Sequence, residues 1–277
     1  MSVGFGHIPP KRIKRTPQAI IMGVKKGGTR ALIEFIKLNP KVKAPRHEIH
    51  YFDVHYDKGV DWYISKMEGI IPNSGEIAME KSPRYFVTPE APKRVYEMDP
   101  NVRLLLTLRD PVERLISDYN HGRTKELKNG NNYPTLEELV FTHDDEINTT
   151  NPILQTSIYH LHMRRWLVYF PLEQIHIVHG EKLIESPWTE INKAEAFLNI
   201  ASEISENTFL FNESKRFYCA RNVLSGRQSS CLGDTKGVPK PPIADGTAER
   251  LSDFFKPHNR MFYDLVKREF GWPASDT

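Results

Sequence analysis

Residues 19–36 read AIIMGVKKGGTRALIEFI, and the organisation of the chain follows from this stretch. The run from Ala19 to Met22 is apolar and has the length of a buried strand. After a glycine-rich turn, Leu, Ile and Phe recur at the spacing of an amphipathic helix. A strand, such a turn and a helix direct backbone N–H groups and a helix N-terminus towards an anion. We therefore predict that the turn binds a phosphate-like group; the alternative is an ordinary strand-to-helix turn.

The turn is similar to the nucleotide-binding pattern G-x-x-x-x-G-K-[ST] but differs from it at the lysine. Gly23 and Gly28 keep the glycine spacing, whereas Thr29 occupies the lysine position and Lys26 lies three residues upstream. No Walker-B aspartate is evident, because the second apolar strand, residues 104–108, ends in Arg109. The pattern favours an anionic donor that needs no magnesium, and we predict no metal site.

The composition is typical of a soluble globular protein, with 277 residues of which 39% are hydrophobic and 26% charged. The net charge is only +3, but residues 1–50 carry a surplus of nine positive charges. Such a local surplus indicates an acidic partner, which could be nucleic acid, an anionic glycan or a membrane surface; a solvated polar face is the alternative. No apolar run is long enough for a signal peptide or a membrane span.

The N-terminal segment and the cysteines bear on the compartment. Residues 1–16 are predicted to form a flexible basic leader, either a nuclear signal or the stem that follows a removed anchor. Cys219 and Cys231 fit no zinc spacing and favour a disulfide, with two free thiols as the alternative. Asn148 and Asn212 begin N-glycosylation tripeptides. Together these features favour the stem and the secretory pathway.

A cluster of ionisable residues follows the first predicted helix. His47, Glu48, His50 and Asp53 lie within seven positions, with aromatic residues between them. Glu48 and His50 would share a face if the segment were extended. A carboxylate beside a histidine can act as a general base. The alternative is a loop whose polar groups cap the neighbouring elements.

Cationic residues mark the ends of two further predicted strands. Lys81 and Arg84 follow the apolar residues 77–79, at the strand end where ligands bind in open α/β sheets. Arg109 ends the strand 104–108, and Ser117 lies two turns into the next helix. Both could bind a second phosphate, or Arg109 could form a salt bridge and Ser117 could be a buried small residue.

The remaining periodicity predicts a parallel α/β protein. We expect one long helix at 153–170, with His160 and His162 on its surface, a strand at 174–178 and a helix at 190–198. Residues 207–245 should be largely loop, and two helices, 247–255 and 259–270, should close the chain.

These segments together resemble the heparan sulfate glucosamine 3-O-sulfotransferases. The matching stretches are 16–30, 48–53, 79–83, 108–111, 117–119, 209–219 and 231–237, in unbroken order from about Pro17 to Trp272. The resemblance implies a P-loop-like three-layer α/β fold, with a central parallel β-sheet flanked by helices, in a single sulfotransferase domain at 17–277. It implies metal-free, in-line transfer of a sulfuryl group from 3′-phosphoadenosine 5′-phosphosulfate (PAPS) to the 3-hydroxyl of glucosamine in heparan sulfate or heparin.

The resemblance also implies roles for individual residues. Glu48 would be the general base, and Lys26 and His50 would assist in catalysis. The implied cofactor-binding residues are Lys26, Gly27, Gly28, Thr29, Arg30, Arg109, Ser117, Tyr218, Lys236 and Gly237. The implied substrate-binding residues are Glu48, His50, Asp53, Lys81, Arg84, His121 and Gln155. The family disulfide would be Cys219–Cys231.

Some features depart from the family pattern. His121, Asn151 and Val238 replace residues that lie near the donor or the glycan in relatives, so they bear on acceptor preference. We expect this chain to be a luminal fragment or a soluble form without the family's usual membrane anchor. We therefore expect the Golgi lumen, with membrane contact only through an absent anchor and no nucleic-acid partner. Two alternatives stay open: a sulfotransferase for tyrosine or another sugar position, and a glycan- or nucleic-acid-binding module without activity.

Overall fold

The computed structural model describes residues 10–221, 231 and 243–275, and the bounds below refer to these residues. The strands are β1 (Ala19–Gly23), β2 (Val42–Lys43), β3 (Ile77–Lys81), β4 (Arg103–Leu108), β5 (Ile175–His179), β6 (Phe209–Asn212) and β7 (Phe217–Ala220). The helices are α1 (Thr29–Ile36), α2 (Gly59–Lys66), α3 (Ala91–Met98), α4 (Pro111–Lys128), α5 (Leu136–Val140), α6 (Pro152–Gln155), α7 (Tyr159–Leu167), α8 (Gly180–Glu185), α9 (Pro187–Phe197) and α10 (Thr247–Val266).

A parallel sheet with the strand order β2-β3-β1-β4-β5 forms the centre of the fold. All five residues of β1 are buried, as expected for a parallel strand covered on both faces. Ile20 and Met22 pack into a core shared with α3, α7 and α10, whereas Ile21 packs into the core under α1 and α9. The predicted three-layer α/β fold, with helices on both faces of a parallel sheet, is confirmed.

Two glycines allow the turn after β1 to approach the sheet. A Cβ on Gly27 would lie 2.2 Å from the carbonyl oxygen of Thr107 in β4, a separation that real atoms do not reach. Gly28 has a φ of 111°, in the left-handed region that favours glycine. The turn therefore brings the N-terminus of α1 to the carboxyl ends of β1 and β4.

Three predicted elements differ from those observed. The expected helix 153–170 is divided into α6 and α7, and His160 and His162 are buried rather than on the surface. The C-terminal segment forms one helix, α10, because its buried positions keep helical spacing across Pro257. Packing along that face outweighs the hydrogen bond that a proline removes. Part of the expected loop 207–245 is the β6–β7 hairpin.

The segment assigned to a leader makes contacts where the structure describes it. Ile13 pairs with Ile70 through two backbone hydrogen bonds of 2.8 Å. The Arg12 guanidinium donates to Glu76, at 3.0 and 3.2 Å. Residues 12–14 are thus attached to the domain that we predicted to begin at 17, and residues 1–9 lie outside the described residues. In the described ranges, no helix is both long and apolar enough to cross a bilayer.

Candidate active site

A cleft of about 1370 Å³ opens at the carboxyl ends of β1 and β3. Residues of the glycine-rich turn and α1 line it together with the segment around Glu48 and the end of β3. The predicted site residues that line this cleft are Lys26, Gly28, Thr29, Arg30, Glu48, His50, Lys81, Arg84 and His121. Arg46, His47 and Asn151 line it as well, so the wall carries a surplus of cationic groups.

The turn 24–28 has the shape of an anion-binding concavity. Lys26 and Gly28 both have positive φ angles, 69° and 111°, on either side of the tightly packed Gly27. Backbone N–H groups in such turns converge, and here they meet the N-terminus of α1. Lys25 is held to one side by an ion pair with Asp118, with its Nζ 2.9 Å from Oδ1.

Glu48, His50 and Asp53 form a hydrogen-bonded row, of which Glu48 and His50 line the cleft. The His50 ring contacts Glu48 Oε2 through Nε2 at 3.0 Å and Asp53 Oδ2 through Nδ1 at 2.9 Å. Lys81 donates a hydrogen bond to the other Glu48 oxygen. Glu48 is 37% exposed to the cleft, whereas the Asp53 side chain is 1% exposed and lies behind His50.

The hydrogen bonds of the row shift the pKa values of Glu48 and His50. Burial raises the pKa of Glu48, but hydrogen bonds from His50 and Lys81 outweigh it and lower that pKa to about 2. Hydrogen bonds to Asp53 and Glu48 raise the pKa of His50 to about 9, against the opposing effect of burial. At neutral pH, Glu48 is therefore a carboxylate and His50 an imidazolium that donates to both carboxylates.

Comparison with known proteins identifies the family. A model of the sulfotransferase domain family matches residues 16–262. Human heparan sulfate glucosamine 3-O-sulfotransferase 6 is 40% identical over 260 residues, which cover 94% of this chain and 74% of that protein. The mouse heparan sulfate glucosamine 3-O-sulfotransferase 5 is 41% identical over 265 residues, covering 94% and 75%. This chain belongs to the heparan sulfate glucosamine 3-O-sulfotransferase family.

The fold agrees with that membership. A crystal structure of a sulfotransferase from Alicyclobacillus acidocaldarius superposes with a TM-score of 0.67 at 19% sequence identity, and covers 92% of this chain and 97% of that one. At this identity the likeness concerns the fold alone. The chain is an enzyme of the 3-O-sulfotransferase family, and the recognition, fold and enzyme class expected from its sequence are confirmed.

The residues that the family resemblance assigns to the donor's 3′-phosphate lie apart from the main cleft. Arg109 borders a second cavity of about 490 Å³, where it is 3.6 Å from a Glu113 oxygen and 4.0 Å from one of Glu181. Ser117 is half-buried on α4. Lys236 and Gly237, and the departure Val238, lie outside the described residues. These four donor-binding assignments stay predictions in this member of the 3-O-sulfotransferase family.

The other expected 3-O-sulfotransferase residues are placed as follows. Tyr218 is half-buried in β7 and packs edge-on against Trp188, with ring centroids 5.2 Å apart. Gln155 ends α6, and its amide donates to the Thr149 carbonyl beside the cleft. Gly27 supports the turn from beneath, as described above. Their ligand-binding roles stay predictions.

The compartment-related residues include one confirmed prediction. The Cys219–Cys231 disulfide is present. Asn148 and Asn212 are half-buried, Asn148 just before a turn and Asn212 at the end of β6, and their amide groups contact the Leu139 carbonyl and Cys231 Sγ. Their glycosylation stays a prediction. In the described ranges, no group of three or more His, Cys, Asp or Glu side chains is arranged to hold a metal ion.

Two polar features of the 3-O-sulfotransferase site were missed in the sequence. Arg114 is fully buried and donates to Asp118 at 2.9 Å, to the Ser157 hydroxyl at 2.6 Å and to the Lys25 carbonyl at 3.3 Å. It thereby ties the glycine-rich turn to α4 and to the connection between α6 and α7. The i,i+4 spacing of Arg114 and Asp118 was the available signal. The second feature is the carboxyl of Glu80, which is buried near the end of β3. The charged residues around it in the sequence gave no indication that this carboxyl is buried.

Proposed function

We propose that this chain transfers a sulfuryl group from PAPS to the 3-hydroxyl of glucosamine residues in heparan sulfate, with Glu48 as the general base. One observation supports this most directly: Glu48 and the turn 26–30 line the same cleft. An in-line transfer needs a donor-binding group and a proton acceptor on opposite sides of the reacting atom. In this proposal the glycine-rich turn provides the donor-binding group and Glu48 the proton acceptor.

The glycine-rich turn fits the phosphosulfate end of PAPS. PAPS, when bound, supplies a sulfuryl group that is activated by its anhydride link to phosphate. Its phosphate oxygens match the N–H groups at the start of α1, and Gly27 lets the turn lie against β4, where a Cβ would meet the Thr107 carbonyl. Lys26 and Arg30 add full positive charge on the same wall. We assign to Lys26 the neutralisation of charge that develops on the leaving phosphate oxygen.

Glu48 is the group placed to accept the proton of the sugar hydroxyl. It is ionised at neutral pH because His50 and Lys81 both donate to it. Two such donors also make a carboxylate a weak base. A sugar hydroxyl that approaches Oε1 competes with Lys81 for that oxygen, and loss of the lysine hydrogen bond raises the basicity of Glu48. His50 keeps the carboxylate in place from its other side, because Asp53 holds the ring.

The cationic lining of the cleft suits a sulfated polysaccharide. Arg30, Arg46, Lys81 and Arg84 lie along it, and Arg84 is 66% exposed despite its proximity to Asp53. A linear anionic glycan would meet these groups on both sides of the reacting sugar. We extend the proposal to the lumen of the secretory pathway, where the Cys219–Cys231 disulfide would persist.

The test is a transfer assay with labelled PAPS and two acceptors, N-sulfated heparan sulfate and a tyrosine peptide. We expect label in the polysaccharide, and disaccharide analysis should place it on the glucosamine 3-hydroxyl. Label in the peptide, or at another sugar position, would contradict the proposal. Lys26→Ala should weaken PAPS binding and lower kcat, whereas Lys93→Ala, on the exposed face of α3, should change neither. Unchanged kinetics in Lys26→Ala would refute the assignment of the turn.

A further inference from the structure

A buried hydrogen-bond network lies directly behind the Glu48–His50–Asp53 row. Its centre is Glu80, which lies on β3 beside the central strand β1 and is only 1% exposed. The Tyr63 hydroxyl donates to Glu80 Oε1 at 2.9 Å, and the Ser82 hydroxyl donates to Oε2 at 2.9 Å. A carboxyl group so deeply buried is costly unless its oxygens are satisfied, so its presence calls for a reason.

The network ends on two backbone N–H groups, those of His50 and Tyr51. The Ser82 hydroxyl accepts the N–H of His50 at 3.0 Å, and the Tyr85 hydroxyl accepts the N–H of Tyr51 at 2.8 Å. The Tyr85 hydroxyl is also hydrogen-bonded to Glu80. Two successive peptide groups are thus held through hydroxyls that the same carboxyl orients.

The backbone at His50 needs surrounding contacts to keep its conformation. His50 has a φ of 54°, which is unusual for a residue other than glycine and must be imposed by surrounding contacts. In this conformation its ring reaches Glu48 and Asp53 at the same time. An extended backbone at this position would direct the ring elsewhere, and Glu48 would lose one of its two hydrogen-bond donors.

We propose that Glu80 is a positioning residue for sulfuryl transfer: through Ser82 and Tyr85 it fixes the backbone at His50 and Tyr51, and so keeps the His50 ring against Glu48. The inference rests on the proposed function, because it assigns Glu48 and His50 to the reaction. Glu80 itself touches neither ligand, since it does not line the cleft. Burial raises the pKa of Glu80 to about 7, although three hydrogen bonds oppose this shift. The fold thus keeps a carboxyl group whose ionised form is destabilised, which agrees with a role in holding the geometry of the network.

The experiment uses Ser82→Ala, Glu80→Gln and Glu80→Ala in the full chain. The matched control is Glu195→Ala, because Glu195 is an equally buried carboxyl that accepts from Asn39 and Ser202 at 2.8 and 2.9 Å, away from the cleft. We expect Ser82→Ala and Glu80→Ala to lower kcat about 10- to 100-fold, as for a sub-ångström to 1 Å displacement of a catalytic group. The affinity for PAPS should stay within about 2-fold, and Glu80→Gln should recover part of kcat.

Hydrogen exchange of individual amides gives a readout that does not depend on turnover. In Ser82→Ala and Glu80→Ala, the amides of His50 and Tyr51 should exchange at least about 10-fold faster while those of β1 do not; global destabilisation would accelerate both. Glu195→Ala should leave the His50 amide unchanged. The positioning role is refuted if kcat in Ser82→Ala stays within about 2-fold of the parent, or falls no more than in Glu195→Ala. If the parent chain transfers no sulfate, the proposed function fails, and the exchange data still test whether Glu80 holds His50.

Discussion

Replacement of Gly27 by alanine should disable the donor turn while leaving the rest of the molecule folded. The added Cβ would lie 2.2 Å from the Thr107 carbonyl oxygen and 2.9 Å from Val24 Cγ1. Normal contact needs at least about 3.4 Å, so the turn must move by about 1 Å away from β4. That movement breaks the hydrogen bond of 3.0 Å from the Val24 N–H to the same carbonyl. A displacement of this size at a ligand-binding group costs about 100-fold in rate.

The stability cost should be smaller and separable from the loss of activity. Overpacking of this kind costs about 1–3 kcal/mol, or about 2–12 °C in Tm for a chain of this length. The assay combines PAPS binding by calorimetry, labelled sulfate transfer and thermal melting. Gly130→Ala is the control, because φ there is 79°, which strains an alanine, while no heavy atom of the described residues lies within 4 Å of its Cβ. Gly27→Ala that binds PAPS and transfers sulfate as the parent does would refute the reasoning.

Two further predictions concern pH and the disulfide. His50 has a folded-state pKa raised to about 9, so its contribution to stability and to holding Glu48 is complete below about pH 6.5 and is lost as pH rises through about 9. The pH–rate profile should therefore fall above about pH 9 in the parent, and persistence of the same limb in His50→Asn would contradict the assignment. Cys219→Ser with Cys231→Ser opens a loop spanning 12 positions and should cost about 3 kcal/mol of unfolding free energy. Denaturant melts test this value, and an unchanged midpoint would show that the disulfide does not restrain the unfolded chain.

Local sequence signals predicted the fold because its central unit is contiguous. The strand, turn and helix at 19–36 need only apolar periodicity and two glycines, and the alternation of strands and helices then implies a parallel sheet. The predictions from sequence were wrong where tertiary packing outweighed local propensity. Pro257 suggested a break that α10 does not have, and His160 and His162 are buried although their residue type suggested a surface. Burial lowers the pKa of both histidines to about 4, so they are held neutral there.

The site was predictable only in part, because its residues meet through turns. The proximity of Glu48 and His50 could be expected from an extended backbone, yet the contact depends on the left-handed conformation of His50. Lys81 joins them because β3 pairs with β2, the strand that precedes their segment, which spacing alone does not specify. The burial of Glu80 could not be predicted, because an acidic residue next to a lysine in sequence is normally exposed to solvent.

The two hydrogen-bond donors of Glu48 determine how strong a base it is. Glu48 with a pKa of about 2 is a strongly stabilised carboxylate and a poor base until a donor is withdrawn. In the proposed reaction, Lys81, whose side chain is 13% exposed and lines the cleft, is the donor that an acceptor sugar would displace. His50 is anchored by buried Asp53 and stays in place. Glu48 thus has one fixed hydrogen-bond donor, His50, and one exchangeable donor, Lys81.

The most direct test of the account is the rate of sulfate transfer in Glu48→Gln, measured together with its binding of PAPS and heparan sulfate. The amide keeps the size of the side chain but cannot take a proton, so transfer should fall at least about 100-fold while both ligands still bind. Glu97→Gln, an exposed carboxylate on α3, should transfer sulfate as the parent does. Turnover retained in Glu48→Gln would contradict the central claim that this carboxylate, facing the turn 26–30 across the cleft, activates the sugar hydroxyl.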